Sequence, residues 1–348
     1  MSNQYSAIGW NRQKRIYDAV LFSFVALYLG VFSVACLIWF PEITAETLVI
    51  RATSTLAILM LHVILMIGPM ARINEKFLPL LYNRRHLGVT MFFIAAIHGT
   101  FSIIQFHALG NISPIVSLFT SNTRFGSLTQ FPFQSLGFFA LIILMLMAFT
   151  SHDFWLNVLT PKVWKSMHMM VYAAYALIVM HVMLGVLQYE TSIVYPLTML
   201  CGVALVISLH LAAGLKELQK DKEGLSPVAD GFVHVCDADE IPEKRAKIVC
   251  LNSERIAVFR YDGKISAVSN VCKHQNGPLG EGKIIDGCIT CPWHGYQYLP
   301  HNGQSPPPFK EKVATFHARV VGNSVQVNPR PNAEGTEVAP ALIPQNLL

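Results

Sequence analysis

The stretch that decides the reading of this chain is Cys272-Lys273-His274, followed after sixteen intervening residues by Cys291-Pro292-Trp293-His294. Two cysteines and two histidines recur as C-x-H and C-x-x-H, so each short loop offers one thiolate and one imidazole from a tight turn. Gly277, Gly280, Gly282, Pro292 and Gly295 are residues such turns use. The set suits a [2Fe–2S] cluster with mixed ligation, Cys272 and Cys291 on one iron and His274 and His294 on the other. It also suits a structural zinc site of two cysteines and two histidines.

Working outward, the runs Phe232 to Val235, Lys247 to Cys250 and Ile256 to Val268 alternate in polarity, the last broken by Asp262-Gly263, and read as antiparallel strands and hairpins. Val313 to Val321 and Ser324 to Val327 continue the pattern beyond the second loop. Cys-Pro-Trp-His-Gly, the matched loop lengths and these strands resemble Rieske proteins across residues 228 to 328. The resemblance favours the iron–sulfur cluster over zinc. Cys288, in Gly-Cys-Ile-Thr-Cys, reads as a strand residue, since the family uses only the second cysteine of that run.

Of 348 residues, 53% are hydrophobic and 14% charged, too apolar for a wholly soluble protein of this size. The apolar residues concentrate before residue 215 and the charges after it, which predicts two domains. The net charge of +5 forms no basic stripe with interleaved aromatics, so no nucleic-acid partner is expected. Cys36 and Cys201 lie in apolar runs, and Cys236, Cys250 and Cys288 read as buried thiols in a reducing compartment.

Apolar runs at about 19 to 40, 48 to 70, 87 to 106, 133 to 150, 164 to 188 and 192 to 215 predict six membrane spans, the first uncleaved because it is too long for a signal-peptide core. Lys and Arg residues gather before the first span, in the second and fourth loops and after the last, at Arg12, Lys14, Arg15, Arg72, Lys76, Arg84, Arg85, Lys162, Lys165, Lys216, Lys220 and Lys222. The positive-inside rule then makes both ends cytoplasmic. Loop three, about 107 to 132, is rich in Ser, Thr, Asn and Phe and is expected to form a lid or an acceptor surface. Thr160-Pro161 predicts the start of span five, a hydroxyl at N-cap and proline at N1. The expected organisation is a cytoplasmic N-terminus (1–16), a six-span haem-binding domain (17–215), a charged linker (216–227), a Rieske domain (228–328) and a disordered tail (329–348). In fold class this is a membrane all-α six-helix bundle followed by a small all-β domain.

An ionisable group inside a span is costly and is a functional candidate by default; His62, His98, His168, His181 and His210 qualify. His98 lies fourteen residues above Arg84 and His181 sixteen above Lys165 on two outward-running spans, or roughly 21 and 24 Å at the helical rise. Imidazoles at one depth on neighbouring helices suit bis-histidine ligation of a b-type haem. His168 lies thirteen residues before His181, about 140° away on a straight helix. Either span five is bent or His168 faces another helix, where it would serve a second redox group with His62, His86 or His210.

Arg84 to Gly88, Ala95 to Gly99, and Trp164 to His168 with His181 resemble the ferric-reductase-like transmembrane domain, over roughly residues 50 to 190. That group includes ferric reductases, NADPH oxidases and the haem-binding subunit of a bacterial methionine sulfoxide reductase system. The resemblance implies haem and a place in the bacterial inner (plasma) membrane. Ferric reductases and oxidases carry two histidines on span three; here Arg84 stands where the first would be, which brings the chain closer to the methionine sulfoxide reductase subunit. High-potential Rieske proteins carry two further cysteines and a serine near the cluster; Gly277, Trp293 and Tyr296 occupy those positions, and Tyr298 lies where the family's tyrosine does.

No G-x-G-x-x-G or phosphate loop is visible, so a separate cytoplasmic reductase or ferredoxin is expected as donor, with membrane lipid around the spans and an outer-face or periplasmic acceptor. The expected function is electron transfer from a cytoplasmic reductant through Cys272, His274, Cys291 and His294 to the haem of His98 and His181, with no catalytic residue assigned. Alternatives are a membrane-anchored Rieske oxygenase component, a quinol-oxidising cytochrome b/Rieske subunit and a redox sensor.

Overall fold

The computed structural model describes residues 12–81, 84–152, 155, 158–159, 161–222, 228–274, 276–293 and 295–344. They fall into two compact units, residues 12–68 with 83–210, and residues 69–82 with 211–348.

The first unit is helical. Its long elements are α1 (Arg12–Trp39), α2 (Ala45–Ile73, ending in the second unit), α4 (Arg84–His107), α6 (Phe133–Phe149), α7 (Pro161–Met169), α8 (Val171–Leu184) and α9 (Val194–Lys222, also ending in the second unit); α5 (Pro114–Thr120) is short, and the short α3 (Leu78–Leu81) falls in the second unit. Among the described residues five helical stretches are long and apolar enough to cross a membrane, and the fourth expected span is the shorter helix α6, with 17 residues. At the helical rise α6 is about 26 Å long, close to the roughly 30 Å of a hydrocarbon core. Val20, Phe22, Phe24, Leu27 and Val31 of α1 turn outward, a surface that suits lipid rather than water. Span five is interrupted at Met170, between α7 and α8, where Met170 itself keeps right-handed helical φ and ψ of −62° and −9°. Thr160, the expected N-cap, lies outside the described residues.

Small residues let the central helices approach. A Cβ on Gly99 of α4 would lie 2.8 Å from Leu141 of α6, and one on Gly137 of α6 would lie 2.7 Å from the His181 ring of α8. Close approach at glycines is how membrane helices gain packing contacts. Helix α6 thus lies against both α4 and α8.

The second unit carries the β domain. Strand β1 (Val233–Asp237) pairs with β10 (Ser324–Val327), which pairs with β9 (Ala318–Val321). A second sheet runs β11 (Ala341–Leu342), β4 (Lys264–Ser269), β3 (Glu254–Tyr261), β2 (Ala246–Leu251), with β8 (Thr315–Phe316) also on β4. A third runs β5 (Lys283–Ile285), β6 (Cys288–Thr290), β7 (Gln297–Tyr298). The Asp262-Gly263 signal is met by a tight β3–β4 hairpin, φ 46° and 70°, the left-handed pair that matches strand twist. One core, with Ile256, Val258, Ile265 and Phe316, lies beneath the first two sheets; a second, with Ala257, Phe259, Leu279, Ile289 and Tyr298, takes in Cys272 and Cys291.

Two expectations about segments need correction. The tail is not disordered over its described part: β11 pairs antiparallel with β4, Ile343 is buried, and Asn332 and Val338 donate backbone N–H groups to Thr315 and His301. The edge of β4 supplies the hydrogen bonds that the tail's polar composition lacks locally. The linker also starts later than expected, because α9 continues to Lys222. Leu215 to Lys220 are strong helix formers. Lys216 Nζ donates to the Ile73 carbonyl at 2.8 Å, capping α2, and Glu217 pairs with Arg255 at 2.5 Å.

Candidate redox centres

In the β domain the two ligand loops leave β4 and β6. The first closes on itself through Asn276 N–H to the Cys272 carbonyl (2.7 Å) and Cys272 N–H to the Gly277 carbonyl (2.9 Å). The second closes through Gly295 N–H to the Cys291 carbonyl (2.9 Å) and Cys291 N–H to the Tyr296 carbonyl (2.8 Å). Asn276 (φ 57°) and Gly295 (φ 74°) make the reversals. The loops meet at Gly277, where a Cβ would lie 2.8 Å from the Cys291 sulfur and 3.1 Å from the Trp293 indole. The glycine and tryptophan that replace the family's two extra cysteines are therefore in contact. His294 lies outside the described residues, so of the expected ligand set the structure places Cys272, His274 and Cys291.

The surroundings suit a buried anionic centre. Cys272 and Cys291 are 1% and 2% exposed. The Tyr298 hydroxyl lies 3.4 Å from the Cys272 sulfur and accepts the Lys273 N–H at 3.0 Å, which orients its proton toward the sulfur. Burial, and then the Cys272 thiolate, raise the Tyr298 phenol, so it remains a donor. The Tyr296 ring stacks on His274, centroids 4.7 Å and planes 10° apart, and its hydroxyl donates to Glu311. Burial alone would raise the Glu311 carboxyl, but the hydrogen bonds it accepts from Tyr296 and from backbone N–H groups hold it below the usual carboxylate value. The sequence placed Tyr296 but gave no reason to notice Glu311. Cys288 is buried in β6 and its thiol is raised by burial.

In the helical unit the structure brings His98 and His181 together. Their ring centroids are 6.4 Å apart with planes at 79°. A metal–imidazole bond of about 2.1 Å on each side, plus about 1.1 Å from nitrogen to ring centre, gives about 6.4 Å. Each Nδ1 has a backbone carbonyl, Ile50 for His98 (3.2 Å) and Phe133 for His181 (2.9 Å). A ring that donates from Nδ1 keeps its Nε2 lone pair for a metal, so tautomer and orientation are set together. The residues present thus fit a haem whose iron the two imidazoles would hold.

His168 is elsewhere. It stacks on Trp164 (centroids 3.8 Å) and has the Trp164 carbonyl at 3.0 Å and Ser151 Oγ at 3.3 Å. Its expected partners have neighbours of their own: His86 pairs with Asp18 (2.8 Å), His210 accepts from the Tyr172 hydroxyl (3.0 Å), and His62 packs against Tyr175 and Gly202. Asp18, Tyr172 and Tyr175 carried no signal in the sequence beyond being polar groups in apolar runs. Loop three contains α5, whose Ser117 hydroxyl meets His107 at 3.0 Å.

Comparison with known proteins divides the chain at the same place. Residues 51–179 match the ferric reductase like transmembrane component, and residues 231–317 match the Rieske [2Fe-2S] domain. The chain is 31% identical over 100 residues to the biphenyl dioxygenase ferredoxin subunit of Pseudomonas sp. (strain KKS102), an alignment that covers 28% of this chain and 91% of that one. It is 32% identical over 91 residues to the anthranilate 1,2-dioxygenase ferredoxin subunit of Burkholderia cepacia, covering 26% and 84%. Cholesterol 7-desaturase nvd of Xenopus laevis is 29% identical over 126 residues, covering 35% of this chain and 26% of that one, so the chain spans about a quarter of that relative.

Proposed function

The chain belongs to the Rieske [2Fe-2S] family through residues 231–317 and joins that domain to a ferric reductase like transmembrane component, and from this premise we propose that it carries electrons across the bacterial inner membrane. Electrons enter on the Rieske side from a cytoplasmic reductase or ferredoxin and leave to an acceptor at or beyond the outer face. The observation that carries this reading is the facing pair His98 and His181, 6.4 Å apart on two membrane helices of a chain that also holds the Rieske ligand set. A [2Fe–2S] cluster on Cys272, His274, Cys291 and His294, and a b-type haem on His98 and His181, supply one-electron chemistry when bound.

The chain's own residues set how that chemistry runs. Carbonyls of Ile50 and Phe133 hold the two imidazoles at Nδ1, which leaves each Nε2 lone pair for a metal. Tyr298 offers one hydroxyl to Cys272, while Tyr296, at the family's serine position, directs its hydroxyl to Glu311 instead. Fewer donors to sulfur stabilise the reduced, more negative cluster less. That supports a potential in the lower part of the roughly −150 to +300 mV Rieske range and hence outward flow. The Lys and Arg residues flanking the spans support a cytoplasmic Rieske domain. Two of the relatives are named as ferredoxin subunits, and the same carrier role is proposed for this domain.

The test is a redox titration of the purified membrane protein followed by optical and EPR spectroscopy. His98→Ala and His181→Ala are each expected to abolish the low-spin haem signal and to leave the iron–sulfur signal intact. Haem binding that survives both replacements overturns the site, and a cluster midpoint well above that of the haem reverses the direction.

A further inference from the structure

The residue pair Tyr296 and Glu311 belongs to neither ligand loop's metal set, yet it reaches one of the ligands. Tyr296 is 2% exposed and lies parallel to the His274 imidazole, its far end donating to the Glu311 carboxylate. Phe309 closes the other side of the tyrosine, with ring centroids 4.9 Å apart. The loop that carries Glu311 is itself held: Gln304 pairs with Lys312, Ser305 N–H donates to the Glu311 carbonyl at 2.9 Å, and Lys310 N–H donates to the Glu311 carboxylate at 3.0 Å. Glu311 is thus a carboxylate fixed in place, one tyrosine ring away from His274.

We infer that Glu311, aimed by Tyr296, is a positioning residue whose negative charge lowers the reduction potential at the His274 iron. This deepens the proposed function and rests on the Rieske assignment. A centre that gains an electron becomes more negative, and a nearby fixed anion of low solvent access opposes that gain. The hydroxyl that Tyr296 gives to the carboxylate is also one that no cluster sulfur receives. Both effects act in the same direction and both end at one residue pair.

The experiment is an EPR-monitored redox titration of the full-length protein and its variants. Glu311→Gln keeps the shape and removes the charge. It is expected to favour reduction at least tenfold at fixed potential, a midpoint rise of about 59 mV for one electron. Glu311→Asp, which keeps the charge, is expected to return at least half of that shift. Tyr296→Phe keeps the stacked ring and frees the carboxylate; its midpoint is expected to rise as well, and the double variant to rise no further than the larger single one. A native iron–sulfur signal with a midpoint unmoved by Glu311→Gln overturns the inference, as do fully additive single shifts. If Glu311→Gln assembles no cluster, Tyr296→Phe carries the test on the same terms. Absence of any Rieske signal in the parent protein would instead overturn the cluster assignment beneath it.

Discussion

The sharpest structural prediction concerns Gly137→Ala. The added Cβ would lie 2.7 Å from His181 Nδ1 and 2.8 Å from Cε1, against the 3.4 Å at which ordinary contact begins, so about 0.7 Å must be found. The ring cannot retreat without stretching its hydrogen bond to the Phe133 carbonyl, which lies one turn earlier on the same helix as Gly137. Nor can it advance and still face His98 at 6.4 Å. Overpacking of this kind costs about 1–3 kcal/mol, and disturbing the hydrogen bond that orients a ligating histidine weakens metal binding by about 10–100-fold. The expectation is haem affinity lower by about that factor, with the low-spin spectrum broadened or lost and the iron–sulfur EPR signal unchanged. Haem titrated into apoprotein in detergent gives the Kd. Gly88→Ala is the control, since no atom lies within 4 Å of its Cβ and replacing a helical glycine by alanine is otherwise mildly favourable. If Gly137→Ala binds haem within about twofold of the parent, with an unaltered low-spin signal, the argument that His181 is held in a ligating pose by α6 fails.

Tyr298→Phe removes the hydroxyl beside the Cys272 sulfur; the cluster midpoint is expected to fall by on the order of 50 mV, about the worth of one hydrogen bond per electron, and an unchanged midpoint in an EPR titration would count against a cluster at Cys272. The Cys236 thiol is pushed up to about 11, chiefly by burial, with Lys247 offsetting part of the rise and nearby carboxylates adding to it, so at pH 8 its thiolate fraction is about a hundredfold below that of an ordinary cysteine. Residue-resolved iodoacetamide labelling should therefore be more than about a hundredfold slower in the native protein than in urea, and equal rates would contradict the buried site. A second haem near His168 predicts that His168→Ala lowers the haem content by one per chain; a haem-to-protein ratio of one, the same in parent and variant, removes His168 from the ligand set.

The β domain was legible because its signals are local. C-x-H and C-x-x-H fix where the loops must be, and Asp262-Gly263 fixes a hairpin that pairs Ile256 with Ser269. The membrane helices were legible for a similar reason: apolar length alone identifies them. Depth counting brought His98 and His181 to one level, although it could not tell that α6 packs against both of their helices with Gly137 at the His181 ring. What stayed hidden depends on partners far along the chain. Nothing in Pro, Asn and Ala composition reveals that Ala341 and Leu342 pair with Ile265 and Lys264. The break at Met170 has no proline or glycine to announce it. Asp18 and His86 are 68 residues apart in sequence, and Glu311 is a charged surface residue until the hydroxyl of Tyr296 is placed beside it.

The contact between Gly277 and Trp293 bears on how the protein matures and fails. The high-potential proteins of the Rieske resemblance carry two more cysteines at these positions; here they are a glycine and a tryptophan that lie close together. A cluster held as proposed would tie the first ligand loop to the second, so the clasp would close when metal is delivered rather than when thiols are oxidised. The same economy leaves the domain exposed to iron starvation and to oxidants that dismantle clusters, since no covalent brace keeps the loops in register while a lost cluster is replaced.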